Sequence, residues 1–304
     1  RRFTIEQLRG KLGADLGEYE RSWMAGQYDV AFPLKQKLEA AVKQLGGFAF
    51  VEFSVIQYFS EGRPSYLTID VVEEEDAARR MAFSPRPRDV LPDPDGLLAL
   101  YKKYEEIGWE LMRAGTLPPD GAAKKETFHS LFGFAHEKLA PFKEPLLAGA
   151  EQHFDALLKI LHRDQDDSHR AAAAFVLAFA KQGARLAGEL GPACKDASSG
   201  VRNNALRVYA EMAHWHPEIE IPLDIVLDCL VFPTTTDRNK ASAILSVLSK
   251  RPELRDPVLE RSGPTLLAML ALEQPNNHDF AWMILKNLSG ETFGEHDVAA
   301  WQEW

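Results

Sequence analysis

Hydrophobic positions in the C-terminal half of the chain repeat in four similar segments, which begin at Arg170, Arg202, Arg238 and His278. Three residues after these starts stand Ala173, Ala205, Ala241 and Ala281, and six after them stand Val176, Val208, Ile244 and Ile284. Apolar residues at offsets of three, six to seven and ten keep one stripe of an α-helix apolar. Successive starts lie 32, 36 and 40 residues apart, and this period predicts a stack of helical hairpins.

A second apolar helix is predicted before each of these segments. The predicted outer helices are Phe154–Leu161, Ala184–Leu190, Leu223–Leu230 and Thr265–Leu272. The turns between the two helices of each pair hold Asp166 and Asp167, Asp196, Asp237, and Asn276 with Asn277. Such short polar side chains cap the first turn of a helix, so we expect them to start the aligned helices.

The order of helix, acidic turn and arginine-led helix resembles HEAT repeats over about residues 150–304. The resemblance implies a ladder of charge-assisted bonds between neighbouring repeats. It assigns structural roles to Asp167 with Arg170, Asp196 with Arg202, and Asp237 with Arg238. The fourth segment departs from this pattern, because His278 stands where arginine is expected.

The last residues, NLSGETFGEHDVAAWQEW, resemble the tail that follows HEAT repeats in some bacterial proteins. A terminal repeat has no neighbour to cover its apolar surface. We therefore expect Phe293, Trp301 and Trp304 to close the open end of the stack.

The N-terminal part has a different pattern, in which helical spacing gives way to alternation. Thr4 with Gln7 predicts a capping box for a helix over Ile5–Leu12, and a second helix is predicted over Pro33–Leu45. Strand-like runs of β-branched and aromatic residues follow at Phe48–Phe59 and Tyr66–Val72, joined by a turn at 61–64. Two helices followed by a β-hairpin are the predicted order.

This order, with LGGFAFVEFSVIQYF, a turn and YLTIDVVEEED, resembles the later part of a POTRA domain over about residues 4–76. POTRA domains occur in outer-membrane assembly and translocation proteins. The first strand expected of that family, with its following glycine, is missing here. A generic helix-on-sheet domain is the alternative interpretation, because fold order alone does not define function.

Four prolines, Pro85, Pro87, Pro92 and Pro94, divide the chain. Dense prolines disfavour helix and strand and give an extended spacer. The predicted organisation is a small α/β domain over 1–84, a linker over 85–96 and a HEAT-like α-solenoid over 97–304. Within the last part, further helices are predicted at Leu97–Arg113 and Thr127–Leu139. The fold class is therefore an α+β domain followed by an all-α solenoid.

Charge narrows the class of partner. The net charge is −10 and the pI is near 5.5. Binding to nucleic acid requires clustered lysine and arginine, so the acidity of the chain argues against a nucleic-acid partner. No apolar run of about 18 residues is present, so no membrane-spanning helix is expected. The sequence begins at Arg1 rather than methionine, and we expect an exported or periplasmic protein in preference to a cytoplasmic one.

Candidate chemistry is sparse. Cys194 and Cys229 are the only thiols and are expected to be inert. The nearest histidine groups, His129 with His136, His162 with His169, and His214 with His216, lack the spacing of three or four that favours a metal site on a helix. No phosphate-binding loop or nucleophile elbow is present, and no cofactor is expected.

The predicted function is a non-catalytic scaffold that binds a protein or peptide on the concave, solvent side of the aligned helices. Side chains expected to be exposed there are Asn203, Arg207, Glu211 and Asn239, with His214 and Trp215 at the end of the second segment. Two enzymes remain as alternatives. One is a HEAT-like nucleic-acid enzyme of the DNA glycosylase type, which the acidity disfavours; the other is a metalloenzyme that uses the histidines.

Overall fold

A computed structural model describes residues 4–56, 65–118 and 126–304. The chain forms two compact units, the first made of residues 1–82 with 232–235 and the second of 83–231 with 236–304. The first unit has two helices followed by a β-hairpin, and the second is mainly helical. No described helix is both long enough and apolar enough to cross a membrane.

The first unit contains α1 (Ile5–Met24), α2 (Tyr28–Lys43), β1 (Phe48–Ile56), β2 (Tyr66–Glu73) and the short α3 (Ala77–Arg80). The predicted capping box is confirmed, since the Gln7 amide donates to Thr4 Oγ1 at 3.2 Å and the Thr4 amide donates to Gln7 Oε1 at 2.9 Å. Helix α1 continues past the predicted end at Leu12 through a kink at Gly13, whose φ is +47°. Glycine adopts this backbone conformation without a steric penalty.

The two strands pair antiparallel, with Phe53 opposite Ile69. Phe53 and Tyr19 are fully buried, and the Tyr19 hydroxyl donates to the Phe53 carbonyl at 3.4 Å. Helix α2 begins at Tyr28 instead of the predicted Pro33 and buries Leu38 against this core. The predicted turn at 61–64 and the predicted strand end at Phe59 lie outside the described residues.

Residues 232–235 belong to the first unit although they lie far along the chain. Asp70 on β2 accepts two hydrogen bonds from Thr235, one from its amide at 3.0 Å and one from its hydroxyl at 2.7 Å. The Asp70 side chain therefore binds a segment that is distant from it in the sequence.

The second unit begins with the proline-rich segment and then α4 (Leu97–Arg113). The segment is extended and hydrogen-bonded, since the Ser84 amide donates to the Lys195 carbonyl at 2.7 Å and Asp89 forms a β-bridge with Asp164. Asp93 then accepts hydrogen bonds from the amides of Leu98 and Ala99, at 2.8 and 3.0 Å. These bonds satisfy amides at the start of α4 that have no partner within the helix.

The helix predicted over Thr127–Leu139 is wrong, because residues 127–139 form bends and turns. Aromatic side chains of this segment fill spaces beside glycines. A Cβ atom on Gly108 would lie 2.2 Å from Phe132, and one on Gly183 would lie 2.4 Å from Phe128. Gly133, with φ +67°, turns the chain directly after Phe132. The packing of these rings, and not the helical spacing of apolar residues, therefore determines the local backbone conformation.

The remaining helices alternate as predicted, with the four aligned helices at every second place. They are α5 (Lys143–Gln152), α6 (Phe154–Arg163), α7 (Asp167–Leu177), α8 (Gly183–Glu189), α9 (Ser199–Trp215), α10 (Leu223–Cys229), α11 (Thr235–Leu248), α12 (Arg255–Leu270), α13 (Pro275–Ser289) and α14 (Val298–Glu303). Helix α6 packs on α7, α7 on α9, and α12 on α13. Helix α12 begins ten residues before the predicted Thr265.

The predicted apolar stripe is confirmed in α7, α9, α11 and α13. All eight side chains at its third and sixth positions have no exposed surface: Ala173, Ala205, Ala241, Ala281, Val176, Val208, Ile244 and Ile284. Small alanine side chains allow close approach of neighbouring elements, while the β-branched residues fill the space beside them. In α9 and α11 the stripe leaves half-buried side chains on the opposite side, whereas residues 172–177 of α7 are all buried.

Three arginines join consecutive turns and form what we term the arginine ladder, Arg170, Arg202 and Arg238. Arg170 donates from Nε and Nη2 to the two carboxylate oxygens of Asp196, both at 2.8 Å. Arg202 donates from the same atoms to Asp237 Oδ2, at 3.0 and 2.8 Å. Arg170 and Arg202 are each only 2% exposed. Such bidentate, charge-assisted bonds are strong and directional.

The ladder joins neighbouring segments, as the resemblance implied. Each of Arg170 and Arg202 binds the aspartate of the following turn and not that of its own turn. Towards its own turn it donates to backbone carbonyls, as Arg202 does to Asp196 O at 2.8 Å. Asp167 instead accepts from the Ser198 hydroxyl at 2.9 Å. One side of the Arg170 and Arg202 guanidinium groups thus binds backbone carbonyls of the preceding turn, and the other side binds the carboxylate of the following turn.

The ladder ends on neutral groups in the fourth segment. Arg238 Nε donates to Asn277 Oδ1 at 3.2 Å. His278, at the position of the missing arginine, is buried with Nδ1 2.7 Å from the Leu270 carbonyl oxygen.

The C-terminal tail packs on the last helices, as its aromatic residues predicted. Trp301 on α14 is buried, and its ring contacts those of Phe293 and Trp304. The indole of Trp301 donates to the Gly294 carbonyl at 3.0 Å, and that of Trp282 donates to the Phe293 carbonyl at 3.2 Å. The tail is therefore fixed by hydrogen bonds as well as by apolar contact.

Candidate functional site

The solvent side of α9 is a line of polar side chains, Asn203, Arg207 and Glu211, each half-buried. Their spacing of four residues places them on one helix face. Arg207 Nε donates to Asn203 Oδ1 at 3.4 Å, and Asn203 Nδ2 donates to Asn204 Oδ1 at 3.0 Å. Together with Lys240 on α11, these three residues are termed the polar row.

Helix α4 lies beside α7 and brings Tyr101 and Glu105 into the electrostatic environment of the polar row. Burial lowers the pKa of Arg207, while Glu211, Tyr101 and Glu105 oppose this shift. Burial also raises the pKa of Glu105, against the effects of its hydrogen bond to Trp109 and the charges of Lys102 and Arg207. Charged groups of both signs on this surface are therefore partly shielded from water.

Lys240 is the second half-buried cation of the polar row. Its Nζ donates to Asn239 Oδ1 at 2.9 Å. Burial, and then the nearby charge of Arg207, lowers the pKa of Lys240 to about 8. Lys240 thus has a neighbouring like charge in place of a carboxylate, which is unusual for a buried lysine.

Glu211 connects the row to the segment before α5. His129, only 3% exposed, has Nδ1 3.4 Å from Glu211 Oε1 and stacks on Phe175 with ring centroids 4.4 Å apart. His129 was considered at the sequence level only as a metal ligand, and the structure places it as a partner of the polar row.

Asn239 was predicted to be exposed, and this prediction is wrong because the residue is only 8% exposed. Its Nδ2 donates to the Asn276 carbonyl at 2.7 Å, which joins α11 to α13. The solvent side of α11 consists instead of Lys240, Ala243 and Val247, which are half-buried. Asn239 therefore positions Lys240 and holds two helices together.

Apolar side chains continue this face beyond Lys240. Ala243 and Val247 follow Lys240 on α11 at helical spacing, and Met283 on α13 is 41% exposed. Asn287 joins these two helices, donating to the Ser246 carbonyl and the Ser249 hydroxyl, both at 3.0 Å. The polar row thus passes into an apolar surface.

His214 and Trp215 are exposed at the end of α9, with ring centroids 4.8 Å apart. His216, which follows them, is half-buried: its Nε2 lies 3.3 Å from the Thr127 carbonyl oxygen and its ring contacts Phe128. Of the three residues in this motif, His214 and Trp215 remain accessible to a partner.

The other histidines have separate surroundings. His162 lies 3.4 Å from Glu189, and His169 lies 3.3 Å from Asp164. Across the described part of the chain, no three histidine, cysteine, aspartate or glutamate side chains are arranged to hold a metal ion. Cys194 and Cys229 are buried, and burial raises the pKa of both thiols, which disfavours the reactive thiolate.

Lys240 and Glu105 were missed by the sequence analysis. Lys240 stands two residues after Arg238, and the equivalent positions hold Ala172, Asn204 and Phe280. No repeated residue type marks this offset, so the period of the segments gave no signal for it. Glu105 belongs to a helix outside the repeats, and only tertiary packing brings it near Arg207.

Comparisons of the chain with protein-family models, with curated proteins and with solved structures gave no significant match.

Proposed function

We propose that the second unit is a HEAT-like α-solenoid and that the protein is a non-catalytic scaffold, which binds a protein or peptide on the solvent side of its aligned helices. The observation on which this depends is the division of α9 and α11 into two sides. One side is the buried alanine and β-branched stripe, and the other is the half-buried polar row with its apolar continuation.

The arginine ladder supports the proposal because it repeats the same connection between successive turns. Arg170 and Arg202 make equivalent bonds, and Arg238 makes a neutral variant of them. Repeated connections of this kind are expected where equivalent helical hairpins stack side by side, and stacking produces an extended binding surface.

The mixed charge of the row favours a protein partner. Arg207 and Lys240 alternate with Glu211 and asparagines, the apolar Val247 follows Lys240 on α11, and Met283 lies on α13. Protein interfaces combine charged, polar and apolar groups in this way.

A triple variant tests the proposed binding surface. Asn203→Ala, Arg207→Gln and Glu211→Gln together remove the charges of the α9 line while conserving most of its volume. The matched control replaces exposed residues of the outer helices α6, α8 and α10, Lys159→Ala, Arg185→Ala and Asp224→Ala. We expect proteins captured by the tagged wild-type chain to be recovered about tenfold less with the first variant and equally with the control, measured by quantitative mass spectrometry.

The Tm of each variant should lie within a few degrees of the wild-type Tm, since surface substitutions usually change stability by about 0.5 kcal/mol or less. Equal capture by wild type and the α9 triple variant would contradict the proposed surface.

A further inference from the structure

Within the part of the chain that the structure describes, two cations of the polar row lack an ion-pair partner. Over residues 4–56, 65–118 and 126–304, no carboxylate lies within ion-pair distance of Arg207 or Lys240. Their side-chain hydrogen bonds go to the amide oxygens of Asn203 and Asn239, at 3.4 and 2.9 Å. This is unexpected for half-buried cations in a chain with a net charge of −10.

A half-buried cation without a counter-charge is costly, since it loses water and gains little in return. The surrounding helices fix this arrangement, because Asn239 is held by the Asn276 carbonyl and in turn accepts from Lys240. A ligand anion would supply the missing counter-charge and a charge-assisted hydrogen bond. The geometry therefore favours an anionic group at Lys240.

The charges nearby distinguish between classes of anion. Glu105 on α4 and Glu211 on α9 lie in the electrostatic environment of Arg207. A phosphate group, with a charge of about −1.5 to −2, would meet both of these carboxylates. A carboxylate has a single negative charge and matches Lys240, whose pKa is shifted by the charge of Arg207 and by no acidic residue among those described. Nucleic acid is disfavoured for the same reason.

The surface beside Lys240 indicates which residues should flank the carboxylate. Ala243 and Val247 follow Lys240 on α11, and Met283 lies on the adjoining α13. Methionine adapts its shape to different apolar partners. An acidic side chain with small or aliphatic neighbours would place its carboxylate on Lys240 and its neighbours on these three residues.

We propose that Lys240, assisted by Arg207, binds the side-chain carboxylate of an acidic peptide segment whose neighbouring residues are apolar. This inference rests on the proposed function and adds to it the chemistry of the partner. Lys240 donates the principal hydrogen bond, and Arg207 contributes its charge.

The protonation of Lys240 gives the binding a predictable pH dependence. With a pKa of about 8, Lys240 is charged below that pH and loses its charge above it. A glutamate in the ligand stays ionised throughout this range. The titratable groups around Lys240 and Arg207 are Glu105, Glu211 and Tyr101. Burial raises the pKa of Tyr101 well above 10. Affinity should therefore be highest below pH 8 and should fall as the pH rises above it.

The test measures the fluorescence anisotropy of a labelled peptide of three Glu-Ala-Leu-Ser repeats at pH 7. The first control peptide has glutamine in place of every glutamate. The second is this glutamine peptide with phosphoserine in place of serine. Together they test whether binding requires a carboxylate. The wild-type chain should bind the glutamate peptide at least tenfold more tightly than either. Lys240→Met should weaken this binding about 10- to 100-fold, as expected for loss of one charge-assisted hydrogen bond.

The matched control is Lys250→Met, which removes an exposed lysine near the end of α11 and should change the affinity less than twofold. Lys240→Arg should keep binding at pH 7 and lose the decrease between pH 7 and 9. Absence of glutamate-peptide binding, or binding unaffected by Lys240→Met, would overturn the inference. If both the glutamate and glutamine peptides bind equally and the α9 triple variant binds neither, the proposed surface stands and carboxylate recognition does not.

Discussion

Replacing Asp237 with alanine is expected to lower the free energy of unfolding by about 3–5 kcal/mol, the usual cost of removing one partner from a buried ion pair. Asp237 is fully buried and accepts both hydrogen bonds from Arg202, at 2.8 and 3.0 Å. Arg202 would keep its bonds to the Asp196 and Ala197 carbonyls and its contact with the Phe83 ring. None of these groups neutralises its charge. Urea unfolding followed by circular dichroism measures the loss.

Two further variants separate charge from packing. Asp224→Ala removes an exposed partner of Arg261 and should cost at most about 1 kcal/mol, because solvent screens such pairs. The double variant Arg202→Met with Asp237→Leu removes both charges of this pair and should be more stable than Asp237→Ala alone. If the double variant is the less stable of the two, hydrogen-bond geometry rather than an uncompensated charge dominates the effect.

Adding a single methyl group at Gly108 is expected to destabilise the second unit by about 1–3 kcal/mol, the typical cost of overpacking a core. A Cβ atom there would lie 2.2 Å from Phe132 Cδ2. Phe132 is only 3% exposed and its ring contacts those of Tyr104 and Trp109, so it has no free space into which to move.

Gly188→Ala is the matched control, because Gly188 also lies in a helix but has no atom within 4 Å of its added Cβ. Alanine has the higher helix propensity, so this variant should gain about 0.5–1 kcal/mol. Opposite signs for the two changes in urea unfolding are the expected result. Equal changes would show that helix propensity, and not the Phe132 contact, determines the response at Gly108.

The period of apolar residues was sufficient to predict the four aligned helices, because alanine and β-branched residues recur at the same offsets and are all buried. The capping box at Thr4 was equally local, since its two hydrogen bonds join residues three apart. Features that depend on one short stretch of chain were therefore predictable.

Features that depend on distant residues were not. The resemblance implied a ladder between neighbouring segments, but sequence spacing does not say in which direction a long side chain reaches, so it did not show that Arg170 and Arg202 bind the following turn. The segment 127–139 has apolar spacing that suits a helix, but glycines on α4 and α8 leave spaces that its aromatic rings fill. The environment of Lys240 likewise depends on Arg207, which is 33 residues away in sequence.

The bonds between Asp70 and Thr235 have a practical meaning for anyone who wishes to divide this protein. The first unit is discontinuous, so a fragment ending at residue 82 would lack four of its residues and leave Asp70 without the two donors of Thr235. Conversely, a fragment starting at residue 83 would retain a stretch of chain that belongs to the other unit. Cutting the gene at the most obvious boundary would damage both products.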